Sequence, residues 1–321
     1  MPTPKPPISV LHVVDSLETG GLERVVADLA VAQRRAGHRV AVFSIQRTDG
    51  FRQTIETAGI PVLVGDKRGT LDRAVLRRLR AAMREHRIEI VHSHNFVPNY
   101  YAALAMLALP CAPALVNTCH NMGTRLSQRR LRWLYRASLL RTAGVAMVSR
   151  QVRERLVGSG LVRKSRAVTV LNGIPIERFG NSASRRACAR HALGLETDAL
   201  VIGCVGRLVP VKNHALLVAQ VPGLLRKHPT LHIVLIGDGP LEDKLRAQTE
   251  ALGASERVHF AGARADVADL LPAFDIFAQP SLSEGLSIAL LEACATGLAV
   301  VASAVGGNPE IIHDGNSGLV V

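Results

Sequence analysis

Short apolar runs of strand length alternate with segments of helical spacing, and the alternation runs through this chain twice. No other feature limits the fold as tightly. Residues 9–14, SVLHVV, read as a buried strand, 15–21, DSLETGG, as a turn, and 22–35 as a helix. Leu22, Val25, Val26, Leu29 and Ala30 recur there at helical intervals, and Gly37 closes the segment before a strand over 39–45. A strand–turn–helix–strand unit of this kind opens a parallel α/β sheet. The pattern continues with helices over 51–58 and 70–86, strands over 61–64, 90–92, 116–119 and 145–148, and a basic amphipathic segment over 126–140. It then breaks. Residues 172–198 combine Asn172-Gly173, Pro175, the polar run NSASRR and a short helix over 185–193, and read as a linker. A second series follows, with strands over 200–205, 232–236, 258–260, 276–279 and 299–302 and helices over 215–225, 241–252, 267–271 and 286–295. The expected organisation is a first α/β domain over 1–171, a linker over 172–198 and a second α/β domain over 199–321, facing each other across a cleft suited to a ligand. Residues 318–321 end inside a strand-like run, so a closing helix is expected beyond them.

With 321 residues, 48% of them hydrophobic, the chain can fill two cores. Aromatic content of 3% is too low for a platform that stacks single-stranded nucleic acid, and no nucleic-acid partner is expected. The net charge of +13 is concentrated: residues 121–170 hold 12 Arg or Lys and one acid, Glu154. That stretch predicts a local acidic partner such as an anionic membrane surface, although a solvated surface would look the same. Five cysteines stand singly at 111, 119, 188, 204 and 294, which suits buried thiols in a reducing compartment. The N-terminus has no apolar region of signal-peptide length, and the longest apolar run, 100–116, is cut by Pro110 and Pro113. The expected location is the cytoplasm, with the basic stretch available to the inner face of the membrane.

Ligands of open α/β sheets bind outside the carboxyl ends of the strands. In the first half that edge carries Gly20-Gly21, His94 and His120. Paired glycines let backbone amides approach a phosphate or sugar, although this pair is no GxGxxG fingerprint and a bare tight turn would read alike. No third ligand stands at metal spacing beside the histidines, so no metal is expected. In the second half Gly206, Arg207 and Lys212 follow the strand over 200–205, Asp238 sits in a GDGP turn, and 280–292 reads PSLSEGLSIALLE. Two fixed cations can stabilise charge that develops on a departing diphosphate. Amides of Gly285, Leu286 and Ser287 at a helix start can hold the same group. A carboxylate beside that phosphate would be repelled, so Glu284 is better placed against sugar hydroxyls. Glu292, two turns further, reaches towards ribose.

These residues resemble the retaining glycosyltransferases of family 4. The resemblance covers nearly the whole chain. It rests on two glutamates separated by seven residues, Glu284 and Glu292, together with Gly206-Arg207, Lys212, Gly237-Asp238-Gly239, Gly306-Gly307-Asn308-Pro309-Glu310, Gly20-Gly21 and His120. The stretches DSLETGGLERVV, HSHNFVPNYYAA and ALLEACATGLAVVASAVGGNPE are similar to sugar transferases of bacterial exopolysaccharide and exosortase (PEP-CTERM) systems. The resemblance implies a GT-B fold of two Rossmann-like parallel-sheet domains, with a C-terminal helix that crosses back to the first. It also implies a nucleoside-diphosphate sugar donor, UDP favoured, a glycan or lipid-linked acceptor, no metal or other cofactor, and front-face displacement with retention. Arg207 and Lys212 would hold the diphosphate, Glu284 the sugar and Glu292 the ribose, with His120 at the reacting centre. A UDP-sugar epimerase and a non-catalytic binder of anionic lipid or polysaccharide are the competing readings.

Overall fold

The computed structural model describes residues 6–18, 20–47, 49–69, 71–120 and 128–321. The chain divides into two compact units, Met1–Asn172 and Gly173–Val321.

In the first unit the strands are β1 (Ser9–Val14), β2 (Arg39–Ser44), β3 (Val62–Val64), β4 (Ile90–His94), β5 (Ala114–Cys119), β6 (Thr142–Met147) and β7 (Ala167–Thr169). Between them run α1 (Gly21–Arg35), α2 (Arg52–Thr57), α3 (Arg73–Glu85), α4 (Phe96–Met106), α5 (Arg129–Ser138) and α6 (Arg150–Gly158). All pairings are parallel, in the order β3-β2-β1-β4-β5-β6-β7, so the order reverses between β1 and β4. Alternate strand residues serve opposite faces. Leu11, Val13 and Val91 pack with α3 and α4, while Val14 and Val42 pack with Val26 and Ala30 of α1. Helix starts follow local chemistry: the Asp72 carboxylate accepts the Ala74 amide, and the Ser149 hydroxyl accepts that of Val152. The helix expected from residue 70 therefore starts at Arg73, and Thr70 lies outside the described residues. The sequence reading names no helix over Phe96–Met106. Nearly every side chain of α4 is buried, so it carries no polar stripe from which a helical period could be read.

The second unit contains β8 (Leu200–Val205), β9 (Leu231–Ile236), β10 (Val258–Gly262), β11 (Ile276–Gln279), β12 (Ala299–Ala302) and β13 (Leu319–Val320). Its helices are α7 (Ala183–Ala192), α8 (His214–Leu225), α9 (Glu242–Ala251), α10 (Val267–Leu270), α11 (Ile288–Thr296) and α12 (Asn308–Ile311). The parallel sheet has the order β10-β9-β8-β11-β12-β13 and reverses between β8 and β11. Within the stretch read as a linker, α7 belongs to this unit. Its Ala189 packs with Leu195 and Phe274, and Arg186 and Arg190 both pair with Asp275. Among the described residues no helix is long and apolar enough to cross a membrane.

Candidate functional site

The second sheet's reversal point brings together residues from its two central strands. Lys212, in the loop after β8, places its ammonium 2.6 Å from Oε1 of Glu284, in the loop after β11. The same oxygen accepts Nε2–H of Gln279 at 2.7 Å and the Ser281 hydroxyl at 2.7 Å. Gln279 is the last residue of β11, and its own Oε1 accepts the Ser287 hydroxyl at 2.9 Å. Ser287 in turn caps α11 by accepting the Leu290 amide. One hydrogen-bonded series thus ties the cation, the carboxylate and the helix start. It commits Oε1 of Glu284 and leaves Oε2 out of these three bonds.

The glycines of the neighbouring loops explain how the loops come this close. Gly306, at φ +59°, lies so near the Glu284 backbone that an added Cβ would stand 2.2 Å from its carbonyl oxygen. The Gly307 amide donates to the Gly285 carbonyl. Gly237 (φ +139°) sits equally close to Gly206, and the Leu208 amide donates to the Asp238 carbonyl. The Arg207 and Asp238 side chains are exposed at this edge, and Glu292 is buried in α11. Helix α11 begins at Ile288, not at residue 286. Gly285, Leu286 and Ser287 are therefore the buried approach to the cap, and the first-turn amides without a partner inside the helix are those of Ile288 and Ala289. His214 opens α8 beside Lys212. Its ring is buried, and neither nitrogen has a partner among the described residues. Burial, then the Lys212 charge, pushes it down to about 4, so it is neutral near pH 7.

In the first unit, Gly20 precedes the first residue of α1 at the carboxyl edge of β1. Its backbone is extended (φ −170°), a conformation open to any residue, and an added Cβ would meet only the end of the Glu23 side chain. Gly20 is therefore not demanded by backbone geometry. His120 follows β5, 7% exposed, and its amide donates to the Asn95 side-chain carbonyl at 2.9 Å. Asn95 adopts φ 64° and ψ −163°, a strained state for a residue with a Cβ. It is held there by its amide on the Thr118 carbonyl and by the Asn117 amide group on its own carbonyl. His120 Nε2 lies 3.2 Å from His94 Nδ1, His94 Nε2 lies 3.1 Å from His12 Nδ1, and His12 Nε2 lies 2.8 Å from Gln33 Oε1. His92 meets the Thr118 hydroxyl at 2.7 Å. Burial pushes His12 and His120 down to about 4 and His92 to about 3, with His94 also well below its usual value, so all four rings are neutral near pH 7. The expectation that no third metal ligand is at hand needs correction. Ligand nitrogens of His12, His92 and His94 fall within 4.8 Å of one another, because β1 and β4 pair directly although they are distant in sequence.

The basic stretch is described from residue 128 onward. Leu131 and Leu134 are partly buried against the core. Trp133 (68% exposed) points outward one turn along α5 from the exposed Arg129 and Arg130, and Leu140 (74%) is exposed just beyond the end of that helix. Arg132 and Arg136 donate to the carbonyls of Ser159 and Gly160.

Two family descriptions match consecutive parts of the chain: Glycosyltransferase Family 4 over residues 19–178 and Glycosyl transferases group 1 over residues 186–321. The chain is a GT-B glycosyltransferase. It moves a sugar from a nucleoside-diphosphate donor to a glycan or lipid acceptor. The D-inositol 3-phosphate glycosyltransferase of Actinosynnema mirum is 28% identical to it, over 95% of this chain and 80% of the relative. The UDP-Gal:alpha-D-GlcNAc-diphosphoundecaprenol alpha-1,3-galactosyltransferase of Escherichia coli is 24% identical, over 85% of this chain and 73% of the relative. Among solved structures, that of Anabaena HepE in complex with UDP-glucose superposes with a TM-score of 0.85 at 24% identity, covering 98% of this chain and 85% of that one. That likeness supports the fold. Of the site, the sequence reading missed Gln279 and Ser281, whose only signal was a polar residue ending an apolar strand and a serine just beyond.

Proposed function

We propose that this GT-B transferase retains anomeric configuration, takes a UDP-sugar and acts on a lipid-linked glycan in exopolysaccharide or envelope synthesis. The observation that carries the reading is the Lys212–Glu284 pair across the reversal point of the second sheet. A cation suited to diphosphate and a carboxylate suited to sugar hydroxyls stand there side by side. Arg207 and Lys212 take the diphosphate, Arg207 with two donors and Lys212 as a point charge. The Ile288 and Ala289 amides at the start of α11 add to that hold. Oε2 of Glu284 accepts from a sugar hydroxyl, and Glu292 takes the ribose. Gly20 and Gly21 lie against the transferred sugar and its phosphate, Gly206 and Asp238 line the nucleotide, and His120 meets the reacting sugar.

Transfer proceeds on one face of the sugar. The acceptor oxygen forms its bond to the anomeric carbon as the bond to the diphosphate breaks, and the acceptor proton passes to the departing phosphate oxygen. UDP as donor nucleotide is supported by the E. coli relative and the Anabaena structure, whose names specify UDP-Gal and UDP-glucose. Trp133, with Arg129 and Arg130 one turn away on α5, gives the protein a surface for anionic lipid at the inner face of the cytoplasmic membrane.

The test is nucleoside-diphosphate release from a panel of UDP-, GDP- and ADP-sugars, with and without membrane lipid from a polysaccharide-producing bacterium. Lipid-dependent release from a UDP-sugar, abolished by Arg207→Ala and Glu284→Ala and reduced by Trp133→Ala, is expected. Release from a GDP- or ADP-sugar alone would overturn the donor. An inverted product would overturn retention.

A further inference from the structure

We propose that Gln33, His12 and His94 fix the tautomer of His120, so that His120 offers Nδ1 to a sugar hydroxyl as an acceptor. The role of His120 rests on the proposed function; the fixing of its tautomer does not. The series climbs the sheet diagonally. His12 of β1 stands opposite His92 of β4, His94 is two residues nearer the carboxyl edge, and His120 is two beyond Thr118, the partner of His94 on β5. Residues two apart share a face, so the ladder follows directly from strand geometry.

A neutral imidazole carries one N–H and one lone pair, and each contact in the ladder uses one of each. Gln33 Oε1 can only accept, so the proton of His12 lies on Nε2. His12 Nδ1 then accepts from His94 Nε2, and His94 Nδ1 accepts from His120 Nε2. Every ring becomes an Nε2–H tautomer, and His120 Nδ1 keeps its lone pair. The ladder ends in an amide oxygen, which takes no proton, so it orients His120 without draining protons away from it. Gln33, His12 and His94 are therefore positioning residues. Gln33 acts through two intervening rings from a half-buried place on α1.

Long-range nitrogen–proton correlation NMR on histidine-labelled protein reads the tautomers directly. The wild type is expected to carry the proton on Nε2 in His12, His94 and His120. Gln33→Met, a change on a half-buried helix face, is expected to turn the His120 signal into a tautomer mixture. It should also lower kcat about tenfold while the first unit stays folded at the assay temperature. His12→Phe should release His120 in the same way. An Nδ1–H form of His120 in the wild type, or a pure Nε2–H form surviving both variants, would overturn the proposal. So would tight stoichiometric zinc binding that perturbs His12, His92 and His94, since the ladder would then be a metal centre. Full activity of His120→Phe would remove the proposed role of His120 while leaving the tautomer result standing.

Discussion

Oε1 of Glu284 collects an ammonium, an amide and a hydroxyl, and this crowding decides what a substitution there does. Glu284→Gln keeps the shape and can still turn an oxygen to the three donors, but it removes the negative charge and puts an N–H in place of Oε2. The Lys212 charge is left without its counter-ion. We expect kcat/KM to fall roughly 100- to 1,000-fold, the scale of losing a fixed electrostatic contact in a transition state, in an assay of diphosphate release. Gly306 sets the position of the same residue from behind. Gly306→Ala must leave φ +59° or carry a strained Cβ, and that Cβ would collide with the Glu284 carbonyl. About 1–3 kcal/mol of stability should be lost, together with donor affinity. Gly253→Ala is the control: its φ is +63°, yet nothing lies within 4 Å of the added atom, so it should cost about 1 kcal/mol and leave donor binding unchanged. Chemical denaturation and donor titration of the two variants separate backbone strain from collision. Glu284, Glu292, Arg207 and Lys212 could be named as candidates from the sequence because each sits in a short local pattern, and the structure brings two of them, Lys212 and Glu284, together. Gln279, Ser281, Gln33 and His12 could not be, since their meaning arises from pairing between strands or from a helix laid across the sheet.

Elements with one wet face announced themselves, and those without did not. The amphipathic α1 and α3 were readable from their apolar spacing, whereas α4, buried nearly all round, was not. Helix α7 looked like linker because its ties to the second unit, Ala189 against Phe274 and two arginines on Asp275, reach residues distant in sequence. The histidines of β1 and β4, with His120 just beyond β5, give the first sheet a pH response. An unfolded histidine has a value near 6.5, and burial lowers that of His12 and of His120 to about 4. Between these values the unfolded chain binds protons that the folded chain refuses. Their stabilising effect is complete above pH 6.5 and is lost as the pH falls towards 4. Each ring contributes on the order of 3 kcal/mol across that window, about 1.4 kcal/mol for each unit of pH. Urea denaturation followed from pH 7 to 4.5 should show the first unit weakening over this range. His12→Gln should reduce the slope by about one proton, and an unchanged slope would mean that His12 does not titrate on unfolding.

Each unit has its own sheet and its own hydrophobic clusters, with Leu11, Phe43 and Tyr101 in one and Val201, Phe274 and Val300 in the other. Two cores of this kind give two unfolding transitions unless something binds both, so a single stability value does not describe the chain. Aromatic chemistry makes the two separable without mutation. The three tyrosines, Tyr100, Tyr101 and Tyr135, and the single tryptophan, Trp133, all belong to the first unit. The tyrosines are buried, so their emission reports that unit's unfolding, while far-ultraviolet dichroism reports both. The proposed nucleotide contacts, Arg207, Lys212, Ile288, Ala289 and Glu292, lie in the second unit. A ligand that binds only the folded form stabilises it by about 2.7 kcal/mol at a hundred times its Kd. UDP should therefore raise the transition seen by dichroism alone and leave the tyrosine transition nearly where it was. An equal rise in both would mean that the Gly20-Gly21 loop carries as much of the diphosphate as Arg207 and Lys212 do. A rise confined to the tyrosine transition would move the nucleotide out of the second unit altogether.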